Sequence, residues 1–442
     1  MQRKALLAVI IGSGVVFLDG SIVNLALPKM ASSLHADFTG QQWVVDGYLL
    51  TLSALILLGG SLGDILGRKR VYMWGVVGFG LSSILCAVSP NIGLLTASRL
   101  LQGVFGALMV PGALAIINTN FTAEARGKAI GQWTAATSGI IAAGPLIGGY
   151  ILDTTSWRWI FLINIPLLVV AVWLGQPSIK ETRVETKRRI DLIGATLAVL
   201  ALGGMTYGLI EGPSNNWDAS AVAPLIGGVV AFVLFLWCER RRKDPMLPLG
   251  LFRSSNFSAA NLATFAMYGG LGGFFFILTI YLQTTSHYSS VAAGLASLPV
   301  TIMMVFLSGR IGALSSKFGP RWFMTAGPIL AGLGILTLLP LHAGSIYIWN
   351  VLPGIALFGV GLATTVAPLT TTILASVKET DSGIASAVNN AVSRVSGLVV
   401  IALLGLFGAA HAYQFAVMLC GCLAIAAGLL SAALVRNEVI LK

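Results

Sequence analysis

Apolar and polar positions alternate along this chain on a long scale. Blocks of about 20–30 mostly apolar residues, each long enough to cross a bilayer core of about 30 Å, are separated by short polar stretches. The blocks fall near residues 5–30, 41–63, 71–89, 92–118, 127–152, 158–176, 190–211, 219–238, 256–282, 291–313, 321–340, 345–374, 383–409 and 411–434. The pattern predicts an all-α integral membrane protein with fourteen transmembrane helices, the twelfth long enough to require a kink or a tilt. Two polar stretches stand apart from the short loops. Residues 177–189 open on Pro177, and residues 239–255 carry the run Glu239–Asp244 followed by Pro245 and Pro248. They bracket two segments whose acids, Asp191 and Glu211, lie at the ends of the first. The division that follows is a six-helix bundle over 1–176, linkers with two inserted helices over 177–254, and a second six-helix bundle over 255–442.

Composition agrees with this pattern. The chain has 442 residues, 56% hydrophobic and 10% charged, with mean hydropathy +0.88; soluble domains carry roughly 25% charged residues. A net charge of +11 could point to nucleic acid, but the location of the charge points to topology instead. In a fourteen-span arrangement only Lys29 and Arg158 fall on one side, and Arg99 and Arg394 lie within spans. Every other Lys and Arg, including Lys187, Arg188, Arg189, Lys243 and Lys442, falls on the opposite side. The positive-inside rule makes that side, with both termini, cytoplasmic, in a multi-pass protein of the cell (inner or plasma) membrane.

Arg3 and Lys4 before an apolar run imitate a signal peptide, but the run is long, holds Asp19 and lacks a clean cleavage site, so it reads as an uncleaved first helix. The four cysteines form no CxxC or Cys/His cluster. The histidines His35, His287, His342 and His411 sit in or beside loops of the non-basic side. Metal, cofactor, P-loop and common hydrolase motifs are missing from the sequence, so neither an enzyme nor an ATP-driven pump is expected.

The chemistry resides in charges placed inside spans, which are costly and usually functional. Asp19 lies about 14 Å below Pro28, counted along the helix; Asp46 about 8 Å and Arg99 about 10 Å into their own spans. The three share one level of the first bundle. Gln102, three residues beyond Arg99, lies on the same face. This reads as a polar cavity with two acids and one cation, although Asp46 could be merely interfacial and Asp19 merely paired. In the second half Arg394 lies about 16 Å into its segment, beside Asn389 and Asn390, and no acid falls within a span. Arg394 could meet an anionic group, a carboxylate or a backbone carbonyl. Gly144 and Gly148 form a small-xxx-small pair with Pro145 between them, a pattern for close helix contact and a kink.

At the end of the second segment the chain reads Gly60-Ser-Leu-Gly63-Asp64-Ile-Leu-Gly67-Arg68-Lys69-Arg70. The glycines suit close approach and a tight turn, Asp64 can accept from a helix N-terminus or a basic residue, and Arg68–Arg70 can meet headgroups. This stretch resembles the helix 2–3 signature of the major facilitator superfamily. Arg99-Leu-Leu-Gln102-Gly103 resembles that family's helix 4 signature, and Gly144-Pro145-Leu-Ile-Gly148-Gly149 its helix 5 antiporter signature. Leu18–Pro28, Trp157–Pro166 and Pro245–Phe257 are similar to the fourteen-helix drug:proton antiporter branch. Two departures stand out: Ile140 occupies a place usually given to a small residue, and the second-half counterpart of the helix 2–3 loop, Gly309–Gly319, lacks the acid.

The resemblance implies a monomeric alternating-access transporter, with a site between halves near mid-membrane. It would export a hydrophobic, cationic, drug-like small molecule against protons and need no cofactor. A buried carboxylate titrates higher than a solvated one, which suits a proton carrier; Asp19 is the first candidate for proton carrier or cation partner and Asp46 the second. The alternatives are an exporter or uniporter of an anionic or neutral metabolite, with Arg394 and Arg99 as ligands, and a non-transporting membrane scaffold or sensor.

Overall fold

The computed structural model describes residues 2–183, 190–242, 244–378 and 381–437, and within them all side chains but those of 123, 124, 142 and 407–411. Lys187, Arg188, Arg189, Lys243, Lys442 and the His411 side chain therefore lie outside the described residues. Among the described residues thirteen spans are long and apolar enough to cross a membrane. The remaining expected segment, 321–340, is a 17-residue helix, Pro320–Leu336. The chain divides at Leu247/Pro248 into two compact units.

The first unit holds α1 (Gln2–Leu34), α2 (Phe38–Leu66), α3 (Arg68–Val88), α4 (Ile92–Asn120), α5 (Ala123–Thr154), α6 (Trp159–Leu162), α7 (Asn164–Ser178), α8 (Leu192–Glu211) and α9 (Ala219–Arg241). The second holds α10 (Ser255–Thr284), α11 (Ser290–Ala296), α12 (Leu298–Phe318), α13 (Pro320–Leu336), α14 (Leu352–Ala375), α15 (Ser382–Leu403) and α16 (Gly408–Leu434). The expected sixth span is the broken pair α6/α7, and the tenth the pair α11/α12. The long twelfth segment is accommodated by a wide π-helical turn, Tyr347–Val351, leading into α14.

The two units repeat one packing scheme. In the first, α2 and α3 both pack on α4, α1 packs on α5 and α7, and α3 packs on α7. In the second, α12 and α13 pack on α14, α10 packs on α15 and α16, and α13 packs on α16. Span for span these are the same pairs. The inserted helices α8 and α9 pack on each other, and α8 packs on α2, so the insert groups with the first unit. One end of it is fixed by Trp43, whose Nε1 donates to Glu211 Oε1 at 2.7 Å and whose ring lies against Tyr207. Towards the other end Ala195, Phe235 and Met246 pack against Leu55, Leu57 and Leu58 of α2.

Helix caps set the depth of the charged residues. α2 starts earlier than its hydropathy suggests, because the Asp37 side chain accepts from Gly40 N at 2.8 Å and satisfies one of the free N–H groups of the first turn. Asp46 therefore lies eight residues into the helix, about 12 Å rather than 8 Å. Asn91 caps α4 in the same way, accepting from Leu94 N at 2.9 Å, and Arg99 keeps its expected depth. α1 runs through Pro28 to Leu34, so Asp19 sits mid-helix.

Candidate functional site

Asp19, Arg99 and Gln102 meet inside the first unit, as their positions on the helices require. Arg99 Nη1 donates to Asp19 Oδ2 at 2.5 Å and to Gln102 Oε1 at 2.5 Å. Gln102 Nε2 donates to Asp19 Oδ1 at 3.1 Å and to Ser83 Oγ at 2.9 Å. Asn164 Nδ2 reaches Asp19 Oδ1 and Ser83 Oγ, both at 3.3 Å. The Arg99 guanidinium also lies 4.3 Å from the centre of the Tyr48 ring, a favourable cation–π distance, and Arg99 Nε donates to the Val44 carbonyl at 3.0 Å. The side chains of Arg99 and Asp19 are 1% and 0% exposed. One buried polar knot thus ties α1, α2, α3, α4 and α7 together, and a charge-assisted pair surrounded by donors holds a single geometry.

Ser83, Asn164 and Tyr48 carry much of this knot, and sequence reasoning gave them no role. A neutral Ser or Asn in an apolar helix raises no alarm. Asn164 could have been found, because it lies inside the Trp157–Pro166 stretch that carries the resemblance.

Asp46 is not part of the knot. It lies two residues from Val44 on α2, is fully buried, and neither carboxylate oxygen has a hydrogen-bond partner among the described residues. The Asp37 cap starts α2 three residues before the apolar run, and Asp46 is enclosed by protein rather than exposed at a helix end. Arg99 is committed to Asp19, Gln102 and the Val44 carbonyl.

In the second unit the buried polar groups are neutral among the described residues. Asn389 Nδ2 donates to Asn261 Oδ1 at 3.2 Å and Thr264 Oγ1 at 2.8 Å. Arg394 is half-buried, and its Nε donates to Asn390 Oδ1 at 2.8 Å, a side-chain amide one turn back.

The helix 2–3 loop is held from three directions. Arg68 donates to Asp64 Oδ1 from Nε at 2.9 Å and from Nη2 at 2.8 Å. Lys69 Nζ donates to the Gln176 carbonyl at 2.6 Å. Asp64 thus serves the basic residue, and the N-terminus of α3 is served by Glu181, whose carboxylate accepts from Lys69 N and Arg70 N at 3.1 Å each. Gly67 is required twice over: its φ is +113°, and a Cβ there would meet Glu181 Oε1 at 2.6 Å. Gly60 and Gly63 do not serve close approach, since a Cβ would sit 3.6 Å from Pro111 and 3.9 Å from Arg68.

The helix 5 glycines face α1. A Cβ on Gly148 would lie 2.7 Å from Ile22 Cγ2, and one on Gly144 would collide with Ser21 Oγ. Gly149 is buried, and α5 continues as a helix through Pro145. The bulky Ile140 lies against Gly14 of α1, so the missing small residue on α5 is matched by a glycine on its neighbour. Outside the apolar contact, Lys29 Nζ donates to the Leu152 carbonyl at 2.5 Å and to Asp153 Oδ1 at 3.1 Å.

A sequence model described as the Major Facilitator Superfamily matches residues 9–401. The puromycin resistance protein of Streptomyces alboniger is 36% identical over 409 residues, which cover 90% of this chain and 80% of that protein. The methylenomycin A resistance protein of Bacillus subtilis is 33% identical, covering 91% and 86%, and the multidrug resistance protein Stp of Mycobacterium tuberculosis 34%, covering 92% and 76%. Among solved structures, a POT family transporter in complex with 5-aminolevulinic acid superposes with a TM-score of 0.75 at 15% identity, over 100% of this chain and 97% of that one. The xylose transporter XylE of E. coli gives 0.67 at 15% identity, over 98% and 99%. At such identities the structures speak for the fold alone.

Proposed function

This chain belongs to the major facilitator superfamily, and from that premise we propose that it is a proton-coupled exporter of hydrophobic, cationic, drug-like compounds. The membership makes it a multi-pass membrane transporter of a small molecule rather than an enzyme. The resistance proteins of three genera among its relatives support export of an antibiotic-like compound. Both termini are assigned to the cytoplasm on the loop charges, and the working unit is taken as the monomer.

The observation that carries proton coupling is the contrast between two buried acids. Asp19 has a guanidinium and two amides around it, so its carboxylate oxygens are fully engaged. Asp46 has neither cation nor donor among the described residues, and an unpaired buried charge costs far more than a neutral acid. We therefore exchange the order of the sequence-based candidates. Asp46 carries the exchangeable proton and is the cation's partner, while Asp19, Arg99 and Gln102 form the fixed frame beside it. A lipophilic cation and a proton then compete for one carboxylate, which couples their fluxes. Arg394, with the amides near it, is assigned to the substrate path of the second unit. Close α1–α5 contact at Gly144 and Gly148 and the Asp64–Arg68 pair are assigned to conformational change.

The test uses purified protein in liposomes with an imposed pH gradient and an internal pH dye. Puromycin, as an amine, is the first probe, with a neutral acylated analogue as its pair. Puromycin-stimulated proton efflux supports the reading. Transport of puromycin that is indifferent to the gradient overturns proton coupling, and equal transport of the neutral analogue overturns charge selection.

A further inference from the structure

The inserted helices carry a second acidic site, remote from Asp46. Asp191 caps α8, with Oδ1 accepting from Gly194 N at 2.7 Å and from Arg242 Nη1 at 2.5 Å. Glu239, near the end of α9, accepts from Leu247 N through Oε2 at 2.6 Å. The second oxygen of each, Asp191 Oδ2 and Glu239 Oε1, has no hydrogen-bond partner among the described residues. The two residues are 5% and 2% exposed. Both free oxygens point at one place: a Cβ built on Gly194 would be 2.6 Å from Glu239 Oε1 and 2.9 Å from Asp191 Oδ2. Two buried carboxyl groups therefore face each other over a glycine.

We infer that Asp191 and Glu239 form a proton-binding pair, and that the shared proton latches the segment through which the chain passes from the first unit to the second. The charges acting on Glu239 are Asp191 and Arg242. The side chains α2 brings to this end of the insert are Leu55, Leu57 and Leu58; its acid further along, Asp64, is engaged by Arg68. On α9 itself Arg240 and Arg241 are exposed, and Arg241 lies over the Trp237 ring at 4.2 Å. Asp244 follows along the chain. With one guanidinium for two carboxylates among the described residues, full ionisation leaves a buried negative charge beside another. One proton between the facing oxygens converts that repulsion into an O–H···O⁻ hydrogen bond. The latch follows from the other oxygen of Glu239, which holds the amide of Leu247, the last residue before the unit boundary. Loss of the proton drives Glu239 away from Asp191 and releases Leu247. This device senses pH at the insert and requires neither a transported compound nor Asp46.

The test is hydrogen exchange at the Leu247 amide in the full-length protein in lipid nanodiscs, between about pH 5.5 and 8.5, where buried carboxyl pairs can titrate. Rates are normalised to intrinsic chemical exchange. In the wild type, protection is high at the acidic end and falls about tenfold per pH unit once the pair loses its proton. Glu239→Gln keeps an acceptor for Leu247 N and gives Asp191 a permanent donor, so its protection stays high throughout. A flat wild-type profile, or a Glu239→Gln profile that follows the wild type, overturns the inference. Asp191→Asn is the second variant and is expected to flatten the profile in the same way. Infrared titration of the wild type needs no variant: a protonated carboxyl band must disappear over the same pH range, and its absence there also overturns the pair.

Discussion

The two units share a packing scheme but not an electrostatic one. The first buries a salt-bridged pair, Asp19–Arg99, and an acid without a partner, Asp46; the second buries amides and hydroxyls around Asn389, with Arg394 half-buried beside Asn390. In the sequence, the acids of the second unit, Glu379, Asp381 and Glu438, fall outside its apolar segments. The same six-helix frame can therefore be stable with a charged or a neutral interior, and the charge in the first is not a requirement of the fold. A buried ion pair is weak evidence for stability and better evidence for a fixed geometry. Here that geometry commits Arg99 to Asp19, Gln102 and the Val44 carbonyl.

The comparison breaks most visibly if the two arginines prove equivalent. Arg99→Leu strands Asp19 and its donors in the interior and should destabilise the protein by about 3–5 kcal/mol. Arg394→Leu removes a half-buried side chain from a neutral amide and should cost about 1.5 kcal/mol. Thermal unfolding in one detergent reads both, and equal losses would remove the distinction between the units. The double substitution Asp19→Asn with Arg99→Gln should recover part of the loss.

Helix contact gives the next effect. Gly148→Leu on α5 must displace Ile22 and should cost about 1–3 kcal/mol while slowing transport. Gly139→Leu on the same helix has open space, with no atom within 4 Å of its Cβ, and should leave turnover unchanged. Asn389→Ala should cost about 1 kcal/mol, with no change in the pH dependence of transport, because the groups it bonds, Asn261 and Thr264, carry no titrating proton. A shifted pH profile would place proton chemistry in the second unit as well. Asp64→Asn should change stability least, by at most about 1 kcal/mol, since its pair with Arg68 is 43% exposed on the Asp64 side and such pairs contribute little. Its effect should appear in the rate of cycling and not in substrate affinity.

The frame was legible in the sequence because hydropathy marks spans and because charges inside spans stand out. Asp19, Arg99 and Gln102 were found in that way and do meet. What could not be read was partnership. Two acids at a similar level could each have met Arg99, and only the packed structure shows that Asp19 does. Glu181 gave no signal in a polar linker, because its partner lies far along the chain, at Lys69. Ile140 looked like a defect until Gly14 on the facing helix could be seen. Each of these depends on a contact distant in sequence, which periodicity does not encode.

The central claim is that Asp46 releases its proton when a cation arrives. It is tested most directly by adding puromycin to the detergent-solubilised protein in weakly buffered solution and counting released protons with a pH electrode. The account predicts about one proton released per cation bound by the wild type, and none by Asp46→Asn, which folds normally. Undiminished proton release from a well-folded Asp46→Asn protein would contradict it.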